Sequence, residues 1–285
     1  MSADAQILVP AAAPRLPSAP WLILGRELRA NLKSLLSWSL PMAALLVLYA
    51  SLQASLSGDG GLLEAKLAAM PETMRKALGF QGLSLTRPVA YLATNFLTVT
   101  LTSALFGGIL GATLVSKEET FHTAELLLTL PVSRAQVLLG KAGALSLLVV
   151  AFQSVLALTA LLSMRVFVPG NLEAGLALQL FAGALLLGLC FGGLGMGLAT
   201  WVRQSRVAPS AALALVFGSY ALGLVSHASE RLEALRWLAP FRFVEPSEIV
   251  RHGGLDPLHA GGLLLLGAAG LAVALIRFGR KDVHA

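Results

Sequence analysis

The sequence predicts an all-α polytopic membrane protein with six transmembrane helices. Hydrophobic residues make up 56% of its 285 residues and charged residues only 13%, whereas ordinary soluble domains contain about 25% charged residues. Lipid offers no partner for an open backbone N–H or C=O group, so a helix needs about 20 mostly apolar residues to cross it. Six segments reach that length, at about 35–56, 91–115, 142–164, 175–200, 207–225 and 258–276.

The remaining segments are expected to lie outside the hydrocarbon. Residues 1–20 are rich in Ala and Pro and lack the pattern of a removable signal peptide, so we expect a disordered cytoplasmic tail. A single transmembrane domain then covers 21–285. The stretches 62–78 and 230–252 are too charged to cross a membrane and fit surface or interfacial helices. Proline should divide the second stretch into two short helices, 230–238 and 247–252.

An amphipathic helix is predicted just before the first span. Apolar residues recur there at helical spacing and charged residues fill the other side, as follows: Trp21, Leu24, Leu28 and Leu32, opposite Arg26, Glu27, Arg29 and Lys33. Such a helix is suited to lie in the inner headgroup layer. The alternative is that these residues only extend the first span on its cytoplasmic side.

The distribution of charge predicts a cytoplasmic N-terminus. That orientation puts twelve of the 21 Lys and Arg residues inside and nine of the fifteen Asp and Glu residues outside. The contrast is sharpest close to the span ends, where the rule applies best. The short connection 201–207 holds two arginines and no acid, and the C-terminal tail holds Arg277, Arg280 and Lys281. With six spans, both termini and the central segment 116–141 then face the cytoplasm.

The central segment 116–141 carries two helix-start signals. Ser116 with Glu119, and Ser133 with Gln136, each fit a capping box, and Pro131 separates the two predicted helices. In helical register a polar stripe forms, consisting of Glu118, His122, Glu125 and Thr129. A short amphipathic helix that is capped at its start and stopped by proline is suited to docking a partner. The plainer interpretation is an inner loop whose charges keep it in water.

Within this segment the sequence resembles ABC transporter permeases of the type-two exporter class. The residues that carry the likeness are Glu119, Thr123, Glu125, Leu126, Leu127, Pro131, Val132, Ser133, Arg134, Gly140 and Lys141. An N-terminal interfacial helix, six spans, a long first outer loop and an outer segment before the last span match the class in order and length. His122 departs from the pattern, because many members carry glycine or a basic residue there.

The resemblance implies a permease subunit of an ATP-driven exporter in the plasma (inner) membrane of a prokaryote. Related permeases serve multicopper-enzyme maturation and drug or lipid export. They work as dimers, with a second copy or a paralogue, above two separate ATPase subunits. The central helix would then be a coupling helix, with Glu118, Glu119, His122 and Glu125 contacting the ATPase. Arg134 and Lys141 would hold the next helix end near the headgroups. The outer segment 236–251 would dip toward the membrane and cover the exit.

No catalytic, cofactor-binding or metal-binding residues are expected. Gly140-Lys141 lacks the rest of a phosphate-binding loop and fits a helix turn with a snorkelling lysine. His252, Asp256 and His259 invite a metal hypothesis, but Gly253, Gly254 and Pro257 should break the helix that would align them. One alternative hypothesis is an ATP-independent channel or secondary carrier, which would usually need ionisable residues at mid-membrane. Another is a membrane enzyme.

Small residues in the spans predict close helix packing. Pairs four residues apart occur in the fourth span, at Gly188/Gly192 and Gly193/Gly197, and in the second, at Gly107 and Gly111. The pattern alone leaves open whether these pairs serve contacts within the chain or between two permeases. Cys190, the only cysteine, is expected to pack as a small residue. The substrate stays open among lipids, peptides, antibiotics, ions and metal- or sulfur-bearing groups.

Overall fold

The computed structural model describes residues 19–57, 69–70, 87–120, 133–168, 173–202, 204–228 and 239–280. Within these ranges all regular structure is helical. The α-helices are α1 (Ala19–Ser57), α2 (Pro88–Asn95), α3 (Leu97–Thr120), α4 (Arg134–Phe167), α5 (Ala174–Ala199), α6 (Ala208–Ala228), α7 (Pro246–His252) and α8 (Pro257–Arg280). Short 3₁₀ helices cover Ser205–Val207 and Pro240–Val244. The all-α prediction is confirmed.

Six of these helices are long and apolar enough to cross a membrane: α1, α3, α4, α5, α6 together with the 3₁₀ turn before it, and α8. Successive spans run in opposite directions. The face at which α1 begins and α3 ends is termed the N face, and the opposite one the far face. The second span begins at Leu97, after the separate helix α2, rather than at residue 91.

Helix α5 lies at the centre of the bundle, where it contacts α3, α4, α6 and α8. On one side, glycines of α3 lie directly against glycines of α5. A Cβ atom built on Gly107 would overlap the carbonyl oxygen of Gly188, and one built on Gly111 would overlap that of Gly192. One turn closer to the far face, the hydroxyl of Ser103 donates a hydrogen bond of 2.7 Å to the carbonyl oxygen of Ala184. Close backbone approach replaces the hydrophobic drive that lipid cannot supply.

The other glycine pair of α5 faces α8. A Cβ atom on Gly193 would overlap the carbonyl oxygen of Gly267, and one on Gly197 would lie 2.6 Å from that of Gly270. Gly267 in turn lies against Cys190, whose Cα would be 3.0 Å from a Cβ built at that position. Both glycine pairs of α5 therefore make contacts within the chain.

Aromatic rings fill the space between α1, α3 and α4. Phe106 of α3 stacks on Phe152 of α4 with a centroid distance of 4.7 Å, and Trp38 of α1 lies 6.2 Å from the same ring. Both phenylalanines are almost fully buried. Helix α1 packs mainly along α4. At its N-terminal turns it also reaches α3.

The two faces are closed by different contacts. On the far face, Arg87 before α2 and Glu173 before α5 form a two-pronged ion pair at 2.7 and 3.1 Å. The hydrogen bonds and charge of Glu173 raise the pKa of the Arg87 guanidinium. On the N face, the guanidinium of Arg277 lies 3.4 Å above the ring centre of Trp201, which ties the end of α8 to the end of α5.

The far face also carries the segment that precedes the last span. Phe243, Val244 and Ile249 are buried against the bundle, so Pro240–Val244 and α7 rest on its end. The predicted helix at 247–252 is confirmed as α7. The stretch 230–238, and 62–78 apart from residues 69–70, lie outside the described residues. A cleft of about 430 Å³ opens beside α7, lined by Arg242, Glu245, Glu248, His252, Asp256 and His259 among others.

Candidate functional site at the N face

The start of α4 is fixed by a capping box. The backbone N–H of Gln136 donates to the Ser133 hydroxyl oxygen at 3.2 Å, and the Ser133 N–H donates to the Gln136 side-chain oxygen at 3.0 Å. Two of the open N–H groups of the first turn are thereby satisfied. This prediction, which depends only on residues three apart, is confirmed.

The end of α3 differs from the prediction. A helix start was expected at Ser116, but α3 continues through that residue to Thr120. Leu114 and Val115 are buried, and Ser116 itself is only 5% exposed. Because the buried surface of α3 extends through Ser116, packing favours continuing the helix over starting a new one there. The helix-start prediction at Ser116 is therefore wrong.

Lys141 joins α4 to α3. Its ammonium group donates a hydrogen bond of 2.5 Å to the carbonyl oxygen of Leu114, and the residue is only 1% exposed. The prediction of a lysine that snorkels to the headgroups is wrong, because α3 supplies an acceptor inside the bundle. A buried ammonium requires such an acceptor, since its desolvation would otherwise be very unfavourable.

Glu27 joins α1 to α3. Its carboxylate forms an ion pair with the ammonium group of Lys117, with the Glu27 side chain 1% and the Lys117 side chain 19% exposed. The prediction that placed Glu27 on the solvent side of an amphipathic helix is wrong, since α3 covers this position. The segment 21–33 is continuous with the first span as part of α1. Its placement in the headgroup layer stays a prediction.

The first turns of α1 also pack closely on the start of α4. A Cβ atom built on Gly140 would lie 2.8 Å from the carbonyl oxygen of Pro20 and 3.1 Å from Ile23. One built on Gly143 would lie 3.0 Å from the end of the Leu24 side chain. Glycine at these two positions lets α1 reach the N-face end of α4.

The predicted ATPase-contacting residues fall on this end of the molecule. Glu118 and Glu119 belong to the last turn of α3. His122 and Glu125 lie in the connection 121–132, outside the described residues. That connection joins the end of α3 to the start of α4, the two helices that Lys141 bridges. Contact of these four residues with an ATPase stays a prediction.

A family model described as "ABC-2 family transporter protein" matches residues 21–283. The chain belongs to this family. A search of curated proteins gave no match. Family membership makes this ABC-2 transporter protein a multi-pass membrane component of an ABC transport system, in agreement with the resemblance found in the central segment.

Sequence reasoning missed the pairing of Glu27 with Lys117 in this ABC-2 protein. One signal was present: Glu27 is the only acid between Asp4 and Asp59, in a helix whose other charges are basic. An isolated acid among bases and leucines indicates a specific partner, although not which one.

Among the described residues, no group of three or more His, Cys, Asp or Glu side chains is placed to hold a metal ion. His252 instead contacts Glu248 at 3.0 Å on the same short helix, and Asp256 accepts a hydrogen bond of 2.8 Å from the N–H of Leu258.

Proposed function

We propose that this chain is the permease subunit of an ATP-driven exporter and that it couples to a separate ATPase through residues 118–132, the coupling segment. The observation that carries the proposal is that this segment connects two helix ends that are bridged to each other. Lys141 of α4 binds the backbone of α3 at Leu114, and Ser133 caps α4 at the point where the segment ends.

The attachment of this segment to both helices determines how it can transmit force. Closure of ATPase subunits can change the bundle only if the element they contact is stiffly joined to the spans. A segment between two free helix ends would yield when pushed, whereas one between bridged ends passes displacement to both helices. We place the ATPase contacts on Glu118, Glu119, His122 and Glu125, whose charges suit a polar docking surface. Two permeases, either two copies of this chain or this chain and a paralogue, would enclose the pathway between them.

The far-face segment fits the role of a cover over the exit. Its 3₁₀ helix and α7 pack on the ends of α2, α5 and α8 through buried Phe243, Val244 and Ile249. The cleft beside α7 opens at the same level. In this arrangement the segment would separate the pathway from the medium beyond the far face.

Charge reversal in the coupling segment tests the proposal. Glu118→Lys/Glu119→Lys/Glu125→Lys should reduce co-purification of the ATPase subunit at least about tenfold, because one partner of each charged contact changes sign. The matched control is Asp59→Lys/Glu64→Lys/Glu72→Lys, which reverses three acids of the first far-face connection and should leave association unchanged. Equal co-purification of the ATPase with both triple variants would contradict the assignment of these glutamates to the coupling contact. An ATP-independent channel or carrier would be favoured if no ATPase co-purified with the wild type.

The orientation has its own test. With Cys190→Ala as background, Gln204→Cys on the N face and Leu258→Cys on the far face each introduce one exposed thiol. A membrane-impermeant maleimide added to intact cells should label Leu258→Cys only, and Gln204→Cys only after permeabilisation, because the basic N face should be cytoplasmic. The reverse pattern would place the coupling segment outside the cell and remove the ATPase from its reach.

A further inference from the structure

We infer that Glu27 is a positioning residue whose ion pair with Lys117 makes α1 the third support of the coupling segment. The consequence for transport rests on the proposed function, whereas the positioning itself rests on geometry alone.

The Glu27 carboxylate is buried where α1 meets α3. An exposed ion pair contributes little to structure, because water solvates each charge almost as well as the partner does. Glu27 is only 1% exposed, so its carboxylate has given up that solvation and depends on its partner. Loss of either charge would leave the other buried or half-buried without compensation, which is strongly unfavourable. The pair therefore fixes α1 and α3 relative to each other.

Lys117 lies near the end of α3, close to the residue that Lys141 contacts. It lies three residues after Leu114, whose carbonyl oxygen accepts the Lys141 hydrogen bond. The last described turns of α3 are thus held by α1 through one lysine and by α4 through another. The coupling segment, whose first three residues complete α3, begins directly after Lys117.

Contact between α1 and α4 completes the arrangement. Gly140 and Gly143 admit Pro20, Ile23 and Leu24 of α1 at close range. Each of the three helices thus contacts both others at the N face, and displacement of the coupling segment must reach α1 as well as α3 and α4. Without the Glu27 charge, the ATPase would still dock, but the end of α3 would be tied to α1 only indirectly, through α4.

Hydrogen exchange on the isolated chain in lipid nanodiscs tests the positioning. Glu27→Gln should increase amide exchange in residues 112–120 and 20–28 at least about tenfold, because local opening no longer separates a charge pair. The charge swap Glu27→Lys/Lys117→Glu should restore protection, and Glu27→Asp, which keeps the charge with a shorter reach, should fall between. Glu173→Gln is the matched control, since it breaks an exposed interhelix ion pair on the far face and should leave both segments unchanged.

Nucleotide-driven movement of the complex tests the consequence. A spin label on Leu258→Cys, in the Cys190→Ala background, reports the distance between the two copies. We expect wild type to change this distance with ATP and vanadate, and Glu27→Gln to retain the ATPase while losing most of the change. The charge swap should recover it.

The outcomes separate the two proposals. Wild-type exchange rates in Glu27→Gln, or a charge swap no better than either single change, would overturn the positioning role. A full distance change in Glu27→Gln would overturn its part in coupling. Failure of any ATPase to co-purify with wild type would instead refute the proposed function, while the exchange experiment would still decide the role of Glu27.

Discussion

Gly107→Ala/Gly111→Ala is expected to abolish accumulation of folded protein. Each added methyl group would overlap a backbone carbonyl oxygen of α5, at Gly188 and Gly192, and a backbone cannot turn aside as a side chain can. Overpacking against adaptable side chains already costs about 1–3 kcal/mol per site, so two backbone overlaps should remove most of a stability of about 5–15 kcal/mol. Size-exclusion chromatography of a fluorescent fusion and its melting temperature measure the effect.

The control for this prediction is Gly218→Ala on α6. A Cβ atom at Gly218 meets nothing within 4 Å, so the change should be neutral or stabilise the helix by up to about 1 kcal/mol. Similar melting temperatures for the double variant and the control would contradict the backbone contact between α3 and α5.

Lys141→Glu is expected to be the most damaging single charge change among the described residues. It would place a carboxylate against the carbonyl oxygen of Leu114 in a site that is 1% exposed. Breaking a buried charged interaction costs about 3–5 kcal/mol, and here repulsion is added. Lys141→Met, which keeps the length of the side chain, should lose only the charged hydrogen bond, about 1.5–3 kcal/mol. Thermal unfolding in detergent should therefore rank Lys141→Glu below Lys141→Met.

Lys33→Glu supplies the comparison, because Lys33 is an exposed residue of α1 near the same face. A surface substitution of this kind should change stability by no more than about 0.5 kcal/mol. If Lys141→Glu and Lys33→Glu unfolded at the same temperature, Lys141 would not be the buried bridge between α3 and α4.

The predictions that succeeded depend on local or one-dimensional properties of the chain. Six spans follow from apolar length, and the Ser133 cap follows from residues three apart, neither of which requires knowledge of neighbouring helices. The helix start at Ser116 had the same local signal and was wrong, because burial of Leu114 and Val115 against other helices decided the outcome. Local patterns predict a cap only where packing does not oppose it.

The site at the N face could be predicted only in part for the same reason. Lys141 and Glu27 were expected to face headgroups or water, as charged residues near a span end usually do. Their burial depends on the level at which α1, α3 and α4 meet, which no single helix encodes. The glycines of α5 showed the complementary limit: their spacing predicted close packing, but only the assembled bundle shows that α3 takes one pair and α8 the other.

The two glycine contacts of α5, with α3 and with α8, have a consequence for how the protein can move. Helices separated by side chains can slide past each other by exchanging rotamers. Helix α5, however, touches α3 and α8 backbone to backbone, with no side chain between them that could adjust. These three helices should therefore move as one rigid unit. A pathway would then open by tilting of this three-helix unit as a whole relative to the other helices. A ligand that bound between α5 and either neighbour would stop transport without occupying the route of the cargo.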